Sequence, residues 1–125
     1  MADPGSGPAS EALALMRRGE VTGALSLLEQ AAADVGLDLE GETLRFLLLR
    51  QTGAEVRALE VAERLLEREL EPLGRSTWLL RKGLVLLALD RRSDAARALQ
   101  EVLKLRASED HERQARKALL DAARR

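Results

Sequence analysis

Cysteine is absent from the 125 residues, and the aromatic side chains come down to Phe46 and Trp78. The first absence excludes disulfides, thiolate metal sites and thiol nucleophiles, and it leaves the redox compartment open. The second removes much of the material of β-sheets, because strands favour aromatic and β-branched residues. Long hydrophobic runs are also missing: the longest, residues 84–89, falls far short of the roughly 18 residues that cross a bilayer. Nor does charge of one sign dominate, since 20 basic and 21 acidic residues give a formal net charge of -1. No global field therefore draws the chain to nucleic acid or to an anionic membrane. The opening MADPGSGPAS has no basic end followed by an apolar block, so no secretory signal is read in it. These features predict a cytoplasmic protein, and the Arg-, Ala- and Leu-rich usage points to a GC-rich bacterial coding sequence.

What is present favours helix. Leu, Ala, Glu and Arg are strong helix formers, and a chain of this length buries about two-thirds of its extended surface on folding. Residues 1–7 are expected to form a flexible leader, with a single helical domain over 8–125. Pro8 suits a first helical turn, and Ala12, Leu13, Leu15 and Met16 carry a helix that stops near Gly19. A second helix spans about 20–34 and ends at Gly36, a natural left-handed cap. Gly23 inside it marks either a close helix contact or a tolerated weak point. Asp38 caps the third helix, whose ETLRFLLLRQ is apolar around most of its circumference. Residues 54–70 follow, with Val56, Leu59, Ala62, Leu66 and Leu70 at helical spacing. Pro72 and Gly74 interrupt the chain before Ser76, read as an N-cap. Asp90–Arg92 is then a turn, Ser93 caps a helix through Leu105, and Ser108 caps a last helix that opens acidic and closes basic.

The turns align. Gly19, Gly53 and Asp90 are each followed five residues later by Ala24, Ala58 and Ala95, which lie 34 and then 37 residues apart. Helix, turn, helix at a 34-residue period resembles the tetratricopeptide repeat family. The third unit carries the resemblance in Gly83, Leu86, Asp90 and Ala95, the first in Ala12, Leu15, Gly19 and Ala24, and the second in Phe46, Leu49, Gly53 and Ala58. Phe46 stands where the family has a small residue, and Gly36, Leu70 and Ala107 stand where it closes with Pro. The resemblance implies an all-α fold, a right-handed array of antiparallel helix pairs. Three tetratricopeptide-like units fall at about 8–36, 38–72 and 76–107, followed by a capping helix over 108–125. That helix has Ala115, Ala118, Leu119 and Ala122 on its buried side and Arg113, Arg116, Lys117 and Arg124 outward.

In such an array the first helix of each pair lines a concave groove. The expected groove residues are Leu13, Met16 and Arg17 in the first unit, Leu47, Arg50 and Gln51 in the second, and Leu80, Arg81, Leu84 and Leu87 in the third. Leu13, Leu47 and Leu84 are equivalent positions. An apolar stripe beside arginines suits an amphipathic helix or extended peptide carrying some acidic residues. The expected function is thus a non-enzymatic adaptor for a protein or peptide partner. The alternative is a homo-oligomeric scaffold, in its simplest form a homodimer, that self-associates through the same apolar surface. Trp78 is either packed within the array or exposed as an anchor for a partner. The family's clamp for chaperone carboxylates maps onto Ala9, Leu13, Leu44, Thr77 and Arg81; only Arg81 fits it, so chaperone tails are not the expected ligand.

Catalytic and cofactor readings are thin. His111, the single histidine, is taken as a surface residue, and Ser26, Ser76, Ser93 and Ser108 have no triad partner in the sequence pattern. GSG near the start lacks the lysine and helix of a phosphate loop. No enzyme activity, cofactor or metal is expected. The basic residues of the last helix are offset by acidic neighbours and lack interleaved aromatics, so they read as a solvated face and not as a nucleic-acid site. No membrane insertion is expected.

Overall fold

The computed structural model describes residues 7–124, so residues 1–6 of the expected leader, and Arg125, lie outside the described residues. Among the described residues there are seven helices and no strand: α1 (Pro8–Arg17), α2 (Val21–Asp34), α3 (Leu39–Gln51), α4 (Glu55–Arg68), α5 (Pro72–Ala88), α6 (Arg92–Leu105) and α7 (Glu109–Ala123). The chain divides into two compact units, one up to Ala54 and one from Glu55, so the division falls inside the expected second pair.

Three of the connections share one local geometry. Gly19, Gly53 and Asp90 have φ of 79°, 82° and 60°. The residue after each donates its N–H back to Leu15, Leu49 and Leu86, at 2.9, 2.8 and 2.8 Å. The turn residues themselves donate to Met16, Arg50 and Leu87 at 2.9, 3.1 and 3.0 Å. Each turn is thus a left-handed cap whose paired hydrogen bonds satisfy carbonyls that a helix end leaves orphaned.

In the first unit, α1, α2 and α3 pack on one another. Ala9, Ala12, Ala24, Leu28, Leu44 and Leu48 form its core, with Leu13 and Met16 packed against it from the partly buried side. Small alanines at the crossing let the helix axes approach, and the leucines fill the space that remains. Asp38 caps α3 by accepting the Gly41 N–H at 2.8 Å. Gly23 makes no close contact: a Cβ there would meet nothing nearer than 3.9 Å, and the residue is exposed.

In the second unit α5 is the central element, packed against α4, α6 and α7. Buried residues therefore occur around most of it, including Trp78, Leu79, Leu80, Val85 and Leu86. Its start differs from expectation. α5 begins at Pro72, with Ser76 inside the helix, because Pro at a first position costs no hydrogen bond. Residues 72–75 thus lengthen a helix and not a loop. Arg75 uses them: its Nη1 donates to the Leu66 and Glu69 carbonyls, both at 3.1 Å, and closes the end of α4. Val56 and Leu70, expected on the apolar face of α4, are exposed, Leu70 because it lies beyond the helix end. Ser93 is not a cap, since α6 starts one residue before it with Arg91 at the cap position. Ser108 does cap α7, accepting the His111 N–H at 3.2 Å. On α7, Ala115 and Ala118 are buried and Leu119 and Ala122 half-buried, while Arg113, Arg116, Lys117 and Arg124 are exposed.

Candidate binding surfaces

The expected groove residues separate into three environments. In the first unit, Leu13 and Met16 are half-buried on α1 with Arg17 exposed beyond them; on α3, Leu47 is 44% exposed, Arg50 half-buried and Gln51 exposed. In the second unit Arg81, Leu84 and Leu87 are half-buried on α5. Leu80 and Trp78 are at 5% and 2% exposure, which removes Leu80 from the exposed stripe and rules out the exposed-anchor reading of Trp78. Trp78 has a local partner: the Arg81 guanidinium carbon stands 4.6 Å from its ring centroid, one helical turn on. Burial lowers the pKa of that guanidinium by desolvation, and the stacking on an aromatic face recovers part of the lost hydration.

The second unit also holds a cleft that sequence reasoning missed. It is open, about 680 Å³, and runs between α4 and α6 over α5, with Leu66, Leu79, Leu86 and Ala98 as apolar floor. Its rim alternates in sign. Lys82 of α5 pairs with Glu63 of α4 at 3.5 Å, and Arg91, at the cap position before α6, with Asp94 at 2.8 Å. The lining contains only Arg, Lys, Asp, Glu, Leu and Ala, so it offers ion pairing and apolar contact. Glu63 and Glu67 at helical spacing were the visible signal, and they read equally well as a solvated face.

A second open groove, about 550 Å³, lies on the first unit along α1 and α2. Pro8, Leu27, Ala31 and Val35 supply its apolar surface, Glu11 and Asp34 its charge, and no basic residue lines it. Val35 is 84% exposed.

Two polar clusters are internal ties. Ser76 of α5 is fully buried, with its Oγ 2.9 Å from Nδ1 of His111 on α7. His111 is therefore half-buried and engaged, not a free surface residue. A serine at 0% exposure cannot meet a substrate, so the pair joins two helices. One residue before it, the Asp110 carboxyl is held below its usual pKa by hydrogen bonds from Arg113 and Gln114. On the first unit, Arg45 of α3 reaches Glu29 of α2 through Nε at 3.1 Å and Nη2 at 2.9 Å. Its Nη1 is 3.6 Å from Glu42 Oε2, too long for a hydrogen bond, and both atoms are buried without a partner. Among the described residues no group of three His, Asp or Glu side chains is arranged to hold a metal, and no helix is long and apolar enough to cross a membrane. Compared with known proteins, the chain matches no family model, no curated protein and no solved structure.

Proposed function

We propose that the chain is a tetratricopeptide-like array of three helix pairs with α7 as its cap, and that it works as a non-enzymatic adaptor. Its ligand is a peptide or amphipathic helix of another protein, with some acidic residues. Support for the repeat reading comes from the three turns with common hydrogen bonds, and from helix bounds that recur: α1 and α2 end at 17 and 34, α3 and α4 at 51 and 68, α5 and α6 at 88 and 105.

The observation that carries the binding reading is Leu47, 44% exposed on α3 at the position equivalent to Leu13 and Leu84, with Arg50 less than one turn further on. A large aliphatic side chain left in water, rather than drawn into the core that takes its neighbours Leu44 and Leu48, is material for an apolar anchor. Arg17 and Arg50 supply cations for acidic flanks, and Gln51 a hydrogen-bonding edge. In the second unit Leu84 takes the place of Leu47 on α5, Leu87 stands where the first unit has Arg50, and Arg81 lies three residues before Leu84.

The test is capture of a protein partner from a host lysate by immobilised wild type and by Leu47→Asp. Burying a carboxylate in an apolar contact weakens capture by about tenfold or more, while circular dichroism and melting temperature stay near wild type because the site is exposed. Undiminished capture by Leu47→Asp would overturn the reading. If the variant instead loses a concentration-dependent rise in sedimentation coefficient, the surface serves self-association.

A further inference from the structure

We propose that the open α1/α2 groove of one copy receives α7 of a second copy, giving head-to-tail association. This face is separate from the one that carries Leu47, and the proposal stands independently of that reading.

The second unit shows what settles on such a face. Ala95 lies 71 residues after Ala24, and the bounds of α5 and α6 at 88, 92 and 105 follow those of α1 and α2 at 17, 21 and 34 by the same interval. Leu79, Lys82, Arg97, Ala98 and Glu101 of the cleft thereby correspond to Pro8, Glu11, Ser26, Leu27 and Gln30, and all five of these line the α1/α2 groove. In the second unit a helix, α4, forms the facing wall with Glu63, Leu66 and Glu67, and Glu63 meets Lys82 at 3.5 Å. In the first unit Glu11 replaces Lys82. A helix docking there needs a leucine in the place of Leu66 and a cation in the place of Glu63.

α7 offers that pattern. Lys117, Leu120 and Asp121 repeat the spacing of Glu63, Leu66 and Glu67 with the first charge reversed. Leu120 is 59% exposed, and Lys117 is exposed beside it, on the side of α7 away from the buried Ala115 and Ala118. Among the described residues Glu11, Asp34 and Lys117 have no ion-pair partner, so docking breaks no existing bridge. An isologous pairing of two α1/α2 faces would instead oppose carboxylates to carboxylates, since Glu11 and Asp34 are the only charges lining the groove. A groove and a helix on different parts of the surface make a heterologous contact, which propagates instead of closing at a dimer unless geometry forms a ring.

Sedimentation velocity over a wide concentration range tests this with two variants, Glu11→Lys/Asp34→Lys and Lys117→Glu/Leu120→Asp. All four positions are partly or fully solvent-facing, and circular dichroism verifies that each variant is folded. Wild type is expected to grow beyond dimer as concentration rises, less so in high salt. Each variant alone is expected to need at least about tenfold more protein to associate. Mixed, the two variants are expected to associate with each other, because the unaltered groove of one meets the unaltered helix of the other. A wild type that stays monomeric at the highest concentration would overturn the proposal. So would association that survives in either variant, or a mixture that fails to pair.

Discussion

Gly83 of α5 lies so close to Leu99 of α6 that a Cβ built at position 83 would stand 2.7 Å from the leucine side chain. Leu99 is itself fully buried. Gly83→Ala gains about 1 kcal/mol of helix propensity but must push the two helices apart or force Leu99 off its rotamer, at about 1–3 kcal/mol. The expected outcome is a net loss of stability. Urea denaturation followed through the fluorescence of Trp78, the only tryptophan and a buried one, measures it. A variant as stable as wild type would mean that the close approach is not a constraint on the fold. Gly23→Ala is the control: its Cβ meets only ordinary contacts, so the same propensity gain should appear as stabilisation.

Ser76 and His111 make a second connection within the unit, 2.9 Å from Oγ to Nδ1, between helices 35 residues apart in sequence. Ser76→Ala removes one hydrogen bond and leaves a half-buried imidazole nitrogen short of a partner, a cost of about 1 kcal/mol. The double-mutant cycle with His111→Ala separates the bond from the packing of each side chain. A coupling indistinguishable from zero would show that the two side chains do not support one another.

How much of this was legible in the sequence differs by element. Helix ends at Gly19, Gly36 and Gly53 were readable because a left-handed residue after an apolar periodic run has few other uses. The start of α5 was not, since Pro72 both ends and begins helices and Ser76 resembles a cap until its distant partner is known. The two glycines inside helices were locally indistinguishable: Gly23 is exposed while Gly83 faces Leu99, a difference set by tertiary neighbours. For the same reason the stripe of expected groove leucines could be placed on one helix face but not graded by exposure. Leu80 is buried and Leu47 is left in water, although both look alike on a helical wheel.

Arg45 is the centre of a largely buried polar cluster in the first unit. Its side chain is 13% exposed and bridges Glu29 at 2.9 Å, while the neighbouring Glu42 carboxylate keeps one buried oxygen unpartnered. Arg45→Met leaves two carboxylates beside an apolar replacement and should cost about 3 kcal/mol. Adding Glu42→Gln removes one of the stranded charges, so the double variant is expected to recover part of the loss. Thermal unfolding followed by circular dichroism reads both. If Arg45→Met alone is neutral, the cluster is solvated and contributes nothing.

The three turns permit a prediction of opposite signs at equivalent positions. Gly53 and Asp90 occupy the same left-handed conformation, with φ of 82° and 60°, but only Asp90 has a Cβ to strain there. Gly53→Ala therefore introduces a penalty of about 1–2 kcal/mol. Asp90→Gly relieves one, less the extra freedom that glycine gives the unfolded chain. Asp90 also accepts from Arg92 Nε at 3.2 Å, but both side chains are largely exposed, so losing that pair costs little. Asp90→Gly is expected to be neutral or stabilising by up to about 1 kcal/mol, and Gly53→Ala clearly destabilising. Paired urea titrations compare them on one scale. A destabilised Asp90→Gly would show that the aspartate side chain holds the turn through its own hydrogen bonding, and that the three turns share a shape but not a cause.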